Sequence, residues 1–265
     1  MIQFTYEYLG ESFKSNSVDF INCFRTFFFC RKKLPASSEM LQVVGRDPAQ
    51  TTTAVQPFAE RRGEFSYRIE PVADYELSGL VVAEYDSENW LDVMHKKDPF
   101  NSRDLCVLWG DNTKNDLYGK IKFTHGEFTC FFQTNDRDTY KSFRLDQISN
   151  NHFLPKDDEV YRVVKEAKIG DQIYFKGQLA NYKVSDSSGQ VGSRQTSTVR
   201  RDTGNGACEV VYLTDFKILK RGQPFWLLIE RISGYSALAS LFFIILIFFL
   251  QAGGPRGLAI SSDKN

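Results

Sequence analysis

The chain has 265 residues, enough for one domain of ordinary size with an appended segment and too few for two full domains. Lys plus Arg and Asp plus Glu number 33 each, so no bulk field draws in nucleic acid or an acidic membrane surface. With 42% hydrophobic and 25% charged residues the composition is globular, and 23 Phe with 12 Tyr tilt it toward strands.

Residues 1–33 form an N-terminal segment with a short apolar stretch, Phe20 to Cys30, which Arg25 interrupts before Arg31-Lys32-Lys33. It matches neither a clean signal peptide nor a full membrane span. Residues 34–66 carry Pro35, Pro48, Pro57 and Thr51 to Thr53 with little periodicity, which predicts a linker or extended arm. A β-rich soluble domain is expected over 67–219.

Within that domain, Leu77 to Tyr85, Leu105 to Trp109, Tyr118 to Phe123 and Phe128 to Gln133 are short apolar or alternating runs bounded by turn residues, and they read as strands. Val160, Val163, Val164 and Ala167 fall at helical spacing behind Asp157, Asp158 and Glu159, with Gly170 placed to end the helix. Gln172 to Val184 alternates as a half-buried strand, Ser185 to Gly192 is a polar loop, and Glu209 to Lys217 is a returning strand. The expected fold is mainly β with one short soluble helix (α+β), a small curved sheet or OB-like barrel.

Residues 220–231 then form a juxtamembrane stretch. Ile232 to Ala252 carries no charge over 21 residues, the length of a bilayer span, and predicts a C-terminal transmembrane helix followed by a 253–265 tail. The expected partner of residues 232–252 is the lipid bilayer. Lys217, Lys220, Arg221 and Arg231 ahead of it weakly place the main domain on the cytoplasmic side.

Five scattered cysteines, Cys23, Cys30, Cys106, Cys130 and Cys208, contain no CxxC pair. This excludes a structural zinc site of the usual spacing and a dense disulfide framework, and leaves a single disulfide open without fixing its pairing. The three histidines form no recognisable metal set, and no cofactor is implied. The most polar run, Arg194 to Glu209, holds a sharp turn at Asp202 to Gly206 that reads first as a hairpin and second as a polar-ligand pocket. The candidate binding residues are Arg194, Arg200, Asp202, Asn205 and His152. Cys208 as nucleophile with His152 as base is the weaker, catalytic alternative.

Three stretches, Leu105 to Asp111, the NxHxxP pattern of Asn150 to Pro155, and Gly170 to Glu209, resemble an uncharacterised family of small bacterial membrane-anchored or exported proteins. The resemblance covers about residues 72–219. Its most specific part is the DTGxGACE element at Asp202 to Glu209; Val199 interrupts the run ahead of that element, and Arg201 replaces the family's frequent Asp. It implies a domain boundary and no activity. Family members often carry an N-terminal anchor and send the domain outward, opposite to the orientation read from flanking charge. The expectation is a non-enzymatic binding or scaffolding module in the cell envelope with a protein partner; an OB-like polar-ligand or nucleic-acid binder is a further alternative, nucleic acid being disfavoured by the neutral charge.

Overall fold

A computed structural model describes residues 34–88, 96, 98–202 and 207–252. The 1–33 segment, with its apolar stretch and Cys23 and Cys30, and the 253–265 tail lie outside the described residues, as does Thr203 to Gly206 of the expected turn. Phe28–Gln223 is one compact unit, and the C-terminal helix belongs to a second. Each is described by itself.

Among its described residues the first unit contains ten strands: β1 Ala49–Thr51, β2 Phe58–Arg62, β3 Phe65–Asp86, β4 Arg103–Leu108, β5 Lys122–His125, β6 Cys130–Gln133, β7 Ile148–Pro155, β8 Gln172–Asp186, β9 Gly189–Arg194 and β10 Glu209–Lys220. Short helices α1 (Asp111–Lys114) and α2 (Arg137–Ser142) follow β4 and β6, and α3 (Asp158–Glu166) joins β7 to β8.

Five strands close on themselves. β3 pairs antiparallel with β4, β4 with β7, β10 with β8, and β8 with β3, while β7 and β10 run parallel. The ring order is therefore β3-β4-β7-β10-β8. Closure removes the unpaired edges that a free curved sheet would expose. Gly177 permits one close approach, because a side chain there would meet the Tyr212 carbonyl oxygen at 2.1 Å.

The ring encloses an apolar interior to which every strand contributes: Leu77 and Val81 from β3, Leu105 and Val107 from β4, Phe153 from β7, Phe175 and Leu179 from β8, and Val211 and Leu213 from β10. Helix α3 adds Val160 and Val164 and so plugs one end. Its start is capped by Asp157, whose carboxylate accepts from Val160 N–H at 2.9 Å. Gly170, at φ +93°, turns the chain out of the helix into β8. Beside α3, the buried Arg103 guanidinium donates to the carbonyls of Lys165 and Ala167 at 3.0 and 2.9 Å and pairs with Glu84, so a charge inside the barrel wall is compensated.

Several expectations change at this level. The 34–66 stretch is an arm and not a linker: β1 and β2 pair with β3, and Val44 is buried. β3 begins at Phe65, well before Leu77, because its polar side chains alternate with buried Tyr67, Ile69, Ala73 and Tyr75. Tyr118 lies in a 3-10 turn, and the strand starts only at Lys122. The expected 185–192 loop is the end of β8, a tight turn and the start of β9, which returns along β8 as a hairpin. Asn150 to Pro155, for which no strand was expected, lies in strand β7.

β5 and β6 form a separate two-stranded sheet, marginal on its own. A disulfide between Cys106 of β4 and Cys130 of β6 fastens it to the outside of the barrel.

The second unit contributes helix α4, Pro224–Ala252, so 224–231 is helical and continuous with the expected span. Its 29 residues rise about 43 Å. Large apolar side chains are exposed at every position from Leu241 to Phe249. Counting only described side chains, no helix is long and apolar enough to cross a membrane; in the full sequence, α4 is uncharged from Ile232 to Ala252.

Candidate functional site

Adjacent strands bring the sequence's polar residues together on the outer face of the ring. Asp104 of β4 and His152 of β7 are cross-strand partners, both essentially sealed from solvent. His152 Nδ1 stands 2.7 Å from Asp104 Oδ1, although neither atom meets hydrogen-bond geometry among the described residues. The other ring nitrogen, Nε2, is 3.0 Å from the Arg194 guanidinium, which reaches it from β9. Because arginine only donates, Nε2 accepts and the ring proton sits on Nδ1, facing the carboxylate.

The turn of the β5–β6 hairpin covers this group. The Arg194 guanidinium carbon lies 4.6 Å from the Phe128 ring centroid. The Phe128 carbonyl accepts from Asn150 Nδ2 at 2.9 Å and from the Cys208 thiol at 3.8 Å, and Asn150 Nδ2 also reaches Cys208 Sγ at 3.5 Å. His125 Nε2 meets Asn150 Oδ1 at 2.7 Å. The disulfide holds this cover in place, since Cys106 is the register partner of Asn150.

Cys208 and His152 share the neighbourhood, but their bonds run elsewhere. The Cys208 thiol is engaged by Asn150 and Phe128, and burial pushes its pKa up, which keeps it a thiol at neutral pH. His152 spends one nitrogen on Arg194 and turns the other to Asp104. A nucleophile and base need a direct bond and a thiolate, and the described contacts supply neither.

A second polar group occupies the barrel end opposite α3. Glu209 alternates with the interior residues Val211 and Leu213, is buried, and has its carboxyl pushed up to about 8 by desolvation, with Arg200 acting in the other direction. Arg200 comes down from the β9–β10 connection. It donates to Glu209 Oε1 at 3.5 Å, to the Tyr75 hydroxyl at 3.1 Å and to Gln50 Oε1 at 2.6 Å, and its guanidinium carbon stands 4.8 Å from the Tyr75 ring centroid.

Of the five expected binding residues, then, His152 and Arg194 meet directly, Arg200 serves the other group, and Asp202 accepts from Ser197 within its own loop. Asn205 lies outside the described residues. Asp104, Glu209, Tyr75, Asn150 and Phe128 were not expected. Asp104 had a visible signal, since it keeps step with Cys106 and Leu108 on one side of a strand whose expected start, Leu105, was two residues too late. Of the three motif stretches, the first falls largely on β4, the second on its neighbour β7, and the third on β8 and β9, reaching β10 only at Glu209. No group of metal-ligating side chains is present among the described residues. A groove of about 520 Å³ lined by Lys120, Lys122, Gln133, Thr134, Asn135 and Asp136 borders the hairpin without including any of these residues.

Compared with known proteins, the chain matches no family model, no curated protein and no solved structure.

Proposed function

We propose that this chain is a membrane-tethered binding module, an OB-like barrel held at an envelope membrane by helix α4, which recognises a protein partner and catalyses no reaction. The observation that carries the reading is the run of exposed apolar side chains from Leu241 to Phe249. Nine consecutive positions cover every face of a helix, and a helix apolar all round needs a bilayer or a protein core around it. The uncharged stretch Ile232 to Ala252 has the length of a span.

The barrel supports the binding half of the reading. Its ring order, with the third and fifth strands parallel and a helix between the third and fourth, is the connectivity of OB-type barrels, which present an outer strand face and flanking loops to ligands. Asp104, His152 and Arg194 sit on that face, where Nε2 of the His152 ring is taken by Arg194 and Nδ1 stands 2.7 Å from Asp104. The Cys106–Cys130 disulfide favours an oxidising compartment, and so the outward orientation, over the side read from flanking charge.

Flotation of the full chain with vesicles tests the tether. Wild type is expected to float, and Ile244→Lys with Phe248→Lys to stay at the bottom; flotation of the doubly charged variant would overturn the proposal. The OB-like connectivity also suits single-stranded nucleic acid, a reading that requires binding to weaken steeply with salt and is removed by a flat response.

A further inference from the structure

The barrel end away from α3 holds a buried acid, Glu209, whose one cation among the described residues is Arg200, and the pairing is poor. Arg200 touches one oxygen of Glu209 at 3.5 Å, whereas a good charged pair closes to roughly 2.7–2.9 Å. The second oxygen, Oε2, is buried with no hydrogen-bond partner among the described residues. Asn151, the register partner of Glu209, leaves its Oδ1 equally unpartnered. Buried polar atoms of this kind are rare, and each calls for a group that completes it.

The surroundings specify that group. Tyr75 offers an aromatic face, Gln50 an amide oxygen, and Glu209 a carboxyl whose second oxygen has no partner among the described residues. An aromatic wall, an amide oxygen and a carboxyl that a well-placed cation would ionise suit a planar, multiply donating cation, and a guanidinium fits them better than an ammonium, which lacks the flat fork and stacks less well. The position is filled at present by a side chain about one quarter exposed, from a surface connection in which Thr198, Val199 and Arg201 are all exposed.

The geometry points to the barrel mouth as a guanidinium-recognition pocket for an arginine side chain of a partner polypeptide, with Arg200 as the resident occupant that the partner's arginine displaces. This rests on the binding-module reading and names the chemistry of its partner. A resident occupant lowers apparent affinity by the fraction of time the pocket stands filled, so removing it strengthens binding.

Calorimetric titration of the full chain in detergent, with Nα-acetyl-arginine amide as probe and Nα-acetyl-lysine amide as control, tests this. Arg200→Ala is expected to bind the arginine probe at least about tenfold more tightly than wild type, with the lysine probe at least about tenfold weaker. Adding Glu209→Gln is expected to cost at least about tenfold. If Arg200→Ala fails to unfold cooperatively, Arg200→Lys, which keeps the charge and loses the fork, takes its place with the same expected gain over wild type. Absence of saturable binding to a folded variant, equal binding of the two probes, or no loss with Glu209→Gln would overturn the pocket. None of these results changes vesicle flotation, so the pocket and the tether fail separately.

Discussion

The two ends of the barrel are built from the same five strands and hold their buried charges differently. At the plugged end, Arg103 is almost fully buried and meets two carbonyls and Glu84, with its Nε left without a hydrogen-bond partner among the described residues, and α3 seals the interior with Val160 and Val164. At the other end, Glu209 meets Arg200 at 3.5 Å through one oxygen, and its second oxygen has no hydrogen-bond partner among the described residues. A native chain compensates buried charge where stability is the only demand. A charge held closely at one end and loosely at the other separates the end that holds the fold together from the end that meets something else.

Four measurements sharpen or break that contrast. Phe153→Ala, in the fully packed interior, is expected to lower the unfolding free energy by about 3–5 kcal/mol in urea titration, and a loss below about 1 kcal/mol would mean the interior is not what holds the ring. Replacing Cys106 and Cys130 by serine is expected to cost about 2–4 kcal/mol and to speed maleimide labelling of Cys208, because the hairpin that covers the thiol loses its fastening. Unchanged labelling would show the cover to be held by Asn150 and His125 alone.

The third measurement concerns Glu209. The folded carboxyl keeps its proton up to about 8, while an unfolded one releases it near 4.5, so the native state holds more protons between those values and stability falls as pH rises through that window. Melting curves across it are expected to show a contribution of roughly 1 kcal/mol per pH unit that Glu209→Gln removes; an unchanged slope in the variant would place the titration elsewhere. The smallest effect is expected at the compensated end, where Asp157→Ala removes the cap of α3 for about 1 kcal/mol by the same urea titration.

Helix α3 and strand β8 were legible from the sequence because each carries its own pattern: valines at helical spacing behind acidic residues, and clean alternation from Gln172. Their boundaries shift by only a residue or two. β7 was not legible as a strand, because Asn150, Asn151 and His152 are polar and Pro155 ends the run. What buries them is remote in sequence: the hairpin turn at Phe128, Arg194 of β9, and the neighbouring strands β4 and β10. The same holds for the candidate site. Arg194 and His152 could be nominated singly from residue type, but their pairing, and the burial of Asp104 and Glu209, come from ring closure, which no local pattern encodes. An arm over 34–66 was one of the two expected readings, but its two short strands were not legible, being defined only by the edge of β3 they join.

Strand β10 is both the last of the ring and, among the described residues, half of its one parallel pair. During synthesis β3, β4, β7 and β8 emerge first, and until Glu209 to Lys220 follows, β7 and β8 each carry an unpaired edge. Closure therefore waits for the stretch that ends four residues before α4 begins. A chain of this design reaches its apolar helix just after its barrel first becomes able to shut, so the ribosome delivers folding competence and a long apolar surface almost together. Any delay between them leaves an open β edge and an apolar helix exposed on the same nascent chain, the state in which a chaperone has most to do.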